Sequence, residues 1–172
     1  MNYKETLEYI HSIPKFNRIL GNALLEKLLN KMGNPQDNLK FIHIGGTNGK
    51  GSTCTMVSQI LTEAGYKTGL FTSPFLKFFN ERIKINGVPI SNSDLADIAS
   101  YVKKITEKYD AFVSEFAFDT AVAFEYFNRQ NCDFVILEVG LGGKLDATNI
   151  IKNPLVVGFT AIGLDHCQYL GN

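Results

Sequence analysis

Apolar residues recur along this chain in two rhythms, helical and extended, and their alternation predicts the architecture. Residues 3–12 carry Leu7, Tyr9 and Ile10 among charges and read as a helix that Pro14 ends. A second helix starts with Asn22 as its cap and places Leu24, Leu25, Leu28, Leu29 and Met32 on one face. Gly33 and Asn34-Pro35 close it. Phe41 to Ile44 is a short apolar strand. A glycine-rich turn follows, then a helix bearing Met56, Val57, Ile60, Leu61 and Ala64 up to Gly65. Lys67 to Thr72 reads as another strand, ending at Ser73-Pro74. In residues 81–90, ERIKINGVPI, apolar positions alternate around Asn86-Gly87, the dipeptide of a type I′ turn, which predicts a small hairpin.

Ser91 with Asp94 opens a helix carrying Leu95, Ile98, Val102 and Ile105. A further helix spans Glu115 to Asn128 with Phe116, Thr120, Ala123, Phe124 and Phe127. Asp133 to Val139 is a nearly continuous apolar strand of the kind buried on both faces of a parallel sheet, and Pro154 to Ile162 is another. Strands alternating with helices predict a three-layer α/β domain around a mostly parallel sheet.

The turn between the first strand and its helix carries candidate chemistry. In FIHIGGTNGKGS, residues 41–52, the helix mouth leaves backbone N–H groups unpaired where the helix dipole favours an anion. Gly46, Gly49 and Gly51 let the backbone approach a phosphate. Lys50 adds a positive charge, and Ser52 or Thr53 offers a hydroxyl to Mg²⁺. The spacing departs from G-x-x-x-x-G-K-[ST], because Ile44 stands five residues before Gly49 and Gly51 separates Lys50 from Ser52. A glycine turn that binds nothing remains the bland alternative. Strand, internal lysine and amphipathic helix together favour a phosphate cradle of P-loop type.

Composition narrows the field. The 172 residues suit one ordinary domain, with 45% hydrophobic and 20% charged residues. Lysine plus arginine equals aspartate plus glutamate at 17 each, which argues against nucleic acid as a partner. No apolar run is long enough to span a membrane, and MNYKETLEYI lacks a signal-peptide core. Cys54, Cys132 and Cys167 form no CxxC and suit reduced thiols in a cytoplasm. His11, His43 and His166 are too scattered in sequence to suggest a zinc site.

In open α/β sheets ligands gather at the carboxyl ends of the strands. Ser73, Glu138 and the pair Asp165-His166 all fall at such ends. Each alone has a structural explanation, but an acid closing an apolar strand near a phosphate loop is the arrangement that holds Mg²⁺. Between the last two strands lies GLGGKLDATN, residues 140–149. By residue type it is equally a ligand-approaching loop and a surface turn stabilised by Asp and Asn.

GTNGKGS at 46–52, TSPFL at 72–76, NERI at 80–83, LEVGLGGKLDATN at 137–149 and GLDHCQYLG at 163–171 resemble the folylpolyglutamate synthase/dihydrofolate synthase family of Mur-ligase-like enzymes. The resemblance runs in order along essentially the whole chain. It implies a fold like the central ATPase domain of Mur ligases and an ATP-dependent ligase that joins L-glutamate to dihydropteroate or a tetrahydrofolate polyglutamate through an acyl phosphate. It also implies that Thr47, Asn48, Gly49, Lys50, Gly51 and Ser52 cradle ATP, and that Ser73, Glu138 and His166 hold Mg²⁺. Lys50 and His166 would serve catalysis, and Leu145, Asp146 and Ala147 would meet the pteroate. The motifs do not separate dihydrofolate synthesis from polyglutamylation.

Several positions depart from the family pattern. Phe75 replaces a histidine, Ala117 stands where a glutamate is usual with Glu115 two residues away, Ile19-Leu20-Gly21 replaces Asp-Leu-Gly, and Lys144 replaces arginine. These departures leave room for a non-catalytic or degenerate nucleotide-binding module. Relatives of this type continue beyond the position of Asn172. Residues 1–172 are therefore expected to be the N-terminal part of the ATP-binding domain, with the C-terminal domain absent. The fragment is expected to be inactive alone and to carry an exposed apolar edge at risk of self-association.

Overall fold

The computed structural model describes residues 1–15 and 21–171. Helix α1 (Tyr3–Ser12) is fixed at its start by Asn2 and Glu5, which exchange the two hydrogen bonds of a capping box. Helix α2 (Ala23–Lys31) follows Asn22, but that side chain makes no cap hydrogen bond. It donates instead to the Asp146 carbonyl at 2.8 Å. Strand β1 (Phe41–Gly45), helix α3 (Lys50–Glu63) and strand β2 (Thr68–Phe71) follow in succession, with β1 and β2 both parallel to the strand that separates them. Strands β3 (Ile83–Ile85) and β4 (Val88–Pro89) flank Asn86 and Gly87, whose positive φ values of 48° and 76° make the expected hairpin turn. Helices α4 (Asn92–Lys108) and α5 (Glu115–Arg129) lead to strand β5 (Phe134–Glu138), strand β6 (Val156–Phe159) and the short helix α6 (Cys167–Leu170).

The sheet runs β4-β3-β2-β5-β1-β6, with β2, β5, β1 and β6 parallel and β3 and β4 antiparallel. This is the three-layer, mostly parallel α/β fold that the periodicity predicts. Alternation along the central strands separates two cores. Phe41, Phe71, Val135 and Leu137 point into the larger one, against α5 and the helices around it. Ile44, Leu70 and Ile136 point into a smaller one with Cys54, Val57 and Leu61 of α3. The inward face of α3 is thus Cys54-Val57-Ser58-Leu61, while Met56 and Ile60 are 58% and 67% exposed. The apolar stripe expected from sequence was set about one position off, because the small residues Cys54 and Ser58 take the tightest contact with the sheet.

Strand β6 also differs from expectation. It pairs with β1 on one side only and both its faces are open, with Val156, Val157 and Phe159 exposed. A continuous apolar run indicates burial, but an edge position leaves that burial incomplete.

Candidate functional site

Because four strands run parallel, their carboxyl ends share one edge, in the order Ser73 after β2, Glu138 at the end of β5, the glycine turn after β1, and the His166 segment after β6. The turn is held by its backbone. Gly46 has φ of 131°, and a Cβ there would collide with the Thr160 hydroxyl and lie 3.1 Å from its amide. Thr47 donates its amide to Ala161 at 2.7 Å, and its hydroxyl both donates to and accepts from Gly163 at 3.0 Å. The Thr47 side chain therefore clamps the turn to the segment after β6. Gly49, at φ of 87°, begins α3, whose first closing bond runs from Thr53 N to Gly49 O at 3.0 Å. The preceding helical amides have no intrahelical partner. Lys50 Nζ folds back onto the carbonyls of Gly46 (2.9 Å) and Thr47 (3.2 Å), which uses two of its three protons. Asn48, Gly49 and Ser52 are exposed.

Glu138 adjoins this turn. Its Oε2 accepts the Ser73 amide at 2.9 Å, and both its oxygens lie 3.4 Å from where a Cβ on Gly51 would stand. Burial pushes its carboxyl above the usual carboxylate range, opposed by the Ser73 and Gly51 amides, Lys50 and Arg82. A carboxylate beside a hydroxyl-bearing residue is a hard-oxygen donor set and fits Mg²⁺. His166 sits at the start of α6 with φ of 48°, half exposed, and its amide donates to Asp165 at 2.8 Å. Among the described residues no hydrogen bond joins it to Glu138 or Ser73, and no three His, Cys, Asp or Glu side chains form a metal cluster.

The second glycine turn is built differently. Asp146 is 6% exposed. Its Oδ2 accepts the Leu141 amide at 2.8 Å, and its Oδ1 accepts the amide and hydroxyl of Thr148 at 3.0 and 2.5 Å. Gly140 packs so closely that a Cβ would lie 2.6 Å from the Phe116 ring and 3.0 Å from Asp146 Oδ2. Asp146 thus holds the turn's shape, and Ala147 is buried, whereas Leu145 is 56% exposed. Gly21 lies 3.9 Å from Leu145 by the same Cβ measure, so the end of the N-terminal segment meets this turn. Ile19 and Leu20 lie outside the described residues. Lys144 is exposed and offers its carbonyl to Asn149 at 3.3 Å.

The sequence reading missed two features. His43, the one polar side chain in β1, is 5% exposed, and its Nε2 lies 2.8 Å from the Thr148 hydroxyl. A histidine inside FIHIG was the available signal. The second is a buried pair, Arg82 and Asp119, 3.8 Å apart with both carboxylate oxygens unpartnered. Burial raises Asp119 to about 8 despite the guanidinium. Arg82 lies over the rings of Phe75 and Phe79 at 5.2 and 5.7 Å, so Phe75 serves as an aromatic platform. Ala117 packs in the core, and Glu115 turns to His11 at 3.2 Å, because residues two apart on a helix face opposite ways.

Residues 44–172 match the family described as the Mur ligase middle domain. The folylpolyglutamate synthase of Lacticaseibacillus casei is 40% identical over 177 residues, covering 100% of this chain and 41% of the relative. The dihydrofolate synthase/folylpolyglutamate synthase of Bacillus subtilis strain 168 is 41% identical over 175 residues, covering 99% and 40%. A solved FPGS–AMPPCP–folate complex superposes with a TM-score of 0.94 at 40% identity, over 100% of this chain and 43% of that one. The chain thus spans about two fifths of the length of the curated relatives it matches.

Proposed function

The chain belongs to the Mur ligase family through its middle domain, and from that premise we propose that it supplies the N-terminal part of the ATP-binding domain of a ligase joining L-glutamate to a folate-type carboxylate. The observation that carries this reading is the meeting of Lys50, Gly51, Ser73 and Glu138 at one sheet edge, with Glu138 bonded to the Ser73 amide at 2.9 Å. The relatives' names and the complex of FPGS with AMPPCP and folate support ATP and a folate-type acceptor as ligands.

In this reading the amides of Gly49 to Ser52 bind the nucleotide's phosphates, and Asn48 lines the same turn. Lys50 turns one N–H toward the transferring phosphoryl group while its other two hold the turn closed. Thr47 contributes by position, since its hydroxyl is engaged with Gly163. Ser73, Glu138 and His166 would hold Mg²⁺, which when bound neutralises charge on the phosphates. Leu145 presents an apolar surface to the pterin side of the acceptor, with Asp146 and Ala147 fixing it in place. The acceptor carboxylate takes the phosphoryl group and the glutamate amine then displaces phosphate, a sequence in which positioning supplies much of the acceleration.

The open edge and faces of β6 support an incomplete domain, because Val156, Val157 and Phe159 would be buried by further chain. In isolation the same edge favours self-association. Among the described residues no helix is long and apolar enough to cross a membrane. The unpaired, buried Cys54 and Cys132, whose thiols burial pushes to about 12 and 11, support a cytoplasmic setting. A non-catalytic nucleotide-binding module is the second reading, favoured by the burial of Ala117 and the engagement of Glu115 with His11.

Calorimetric titration of ATP–Mg²⁺ tests the cradle: Lys50→Ala should weaken binding roughly tenfold to a hundredfold. Equal affinity in both proteins sinks it. Phosphate release by the full-length protein with ATP, glutamate and either dihydropteroate or tetrahydrofolate separates ligase from binding module. Turnover with neither acceptor removes the ligase.

A further inference from the structure

Resting on the ligase reading, we propose that His43 is a positioning residue for the acceptor: by donating from Nε2 to the Thr148 hydroxyl, it fixes the hydrogen bond through which Asp146 shapes the turn carrying Leu145.

The argument is an inventory of protons. Thr148 Oγ1 lies 2.8 Å from His43 Nε2 and 2.5 Å from Asp146 Oδ1, and Thr148 is fully buried. A hydroxyl has one proton. If it went to His43, the hydroxyl oxygen would face a carboxylate oxygen at 2.5 Å with no hydrogen between them, and burial excludes a bridging water. The proton therefore goes to Asp146, and Nε2 of His43 must carry the hydrogen that Thr148 accepts. His43 has a neutral ring with Nε2 protonated and Nδ1 bare, a state favoured because burial lowers its basicity.

The placement gives this chain its purpose. His43 lies on β1 three residues before Gly46, in register with Leu137 of β5, one residue before Glu138. Its side chain points to the larger core, where the 3₁₀ turn Ala147–Ile150 packs. The strand that delivers the phosphate turn thereby also anchors the turn from Gly140 to Asp146. Asn22, which donates to the Asp146 carbonyl, braces that turn from the other side.

The first test is ¹⁵N NMR of the imidazole in the wild-type protein. A protonated Nε2 with bare Nδ1 supports the relay; the opposite tautomer overturns it. The second is kinetic, on the full-length protein. His43→Leu and Thr148→Val should each raise the acceptor KM about tenfold while the ATP KM changes less than twofold. The double variant should be no worse than either single one. His43→Gln, whose amide nitrogen reaches the Nε2 position, and Thr148→Ser should stay near wild type. A His43→Gln variant as impaired as His43→Leu, or equal changes in both KM values, would overturn the positioning role. A wild-type protein that binds ATP but turns over neither folate acceptor overturns the ligase reading instead, and the tautomer still decides the relay.

Discussion

Two glycine turns stand at the same edge of the sheet and solve opposite problems. The turn at 46–51 places three glycines ahead of and within the first turn of a helix, and its single ammonium closes over its own carbonyls. The turn at 140–146 points its carboxylate inward, where Asp146 accepts three hydrogen bonds and meets a histidine relay. The first leaves part of its donor capacity at a helix start; the second has spent its polar groups on its own shape and exposes an apolar side chain. The lesson is that a glycine-rich loop with polar residues does not announce which of its groups face a ligand. A buried carboxylate is affordable only when fully partnered. Asp146 meets that condition and Asp119 does not.

The contrast can be broken at three points. Gly46→Ala should have the largest effect, because strain at φ of 131° adds to collision with Thr160, together about 4 kcal/mol. Denaturant titration should show that loss, and ATP affinity should vanish with it. A stable variant that still binds ATP would mean the turn is not held as described. Asp146→Ala should cost about 3 kcal/mol by orphaning the Leu141 and Thr148 donors. It should also open residues 140–146 to limited proteolysis while leaving ATP affinity within twofold. Loss of ATP binding there would erase the distinction between the two turns.

A third test is a pH dependence. Asp119 has its carboxyl raised from 3.8 to about 8 by burial, so the folded chain retains a proton that the unfolded chain releases. Its contribution to stability is full below pH 3.8 and declines as pH rises towards about 8. Asp119→Asn abolishes that decline, so its advantage over wild type should grow from pH 5 to about pH 8 in thermal melts and then level off. Parallel stability curves for the two proteins would contradict a buried carboxyl that lacks hydrogen-bond partners.

Much of this molecule was legible in its sequence. The bounds of α1, the Asn86-Gly87 hairpin, the Ser91 cap of α4 and the parallel central strands follow from local chemistry that the fold does not override. The glycine turn ahead of α3 was legible for the same reason, since glycines and a helix start dictate its backbone. Less legible were side chains whose partners are distant in the chain. Asn22 looks like a cap but bonds to Asp146, 124 residues away, and the Thr47 hydroxyl ties to Gly163, 116 residues away.

By itself, the sequence determined which segments are helix and strand, and it placed a glycine-rich turn at a helix mouth, because those outcomes depend on neighbours within a few residues. Only the tertiary structure decided that β5 inserts between β1 and β2, bringing Glu138 against Ser73 and Gly51. It alone decided that Asp146 faces inward, that His43 reaches Thr148 across 105 residues, and that β6 is an open edge. Those facts depend on contacts between segments far apart in sequence, and residue type at one site carries no record of what the chain will bring beside it.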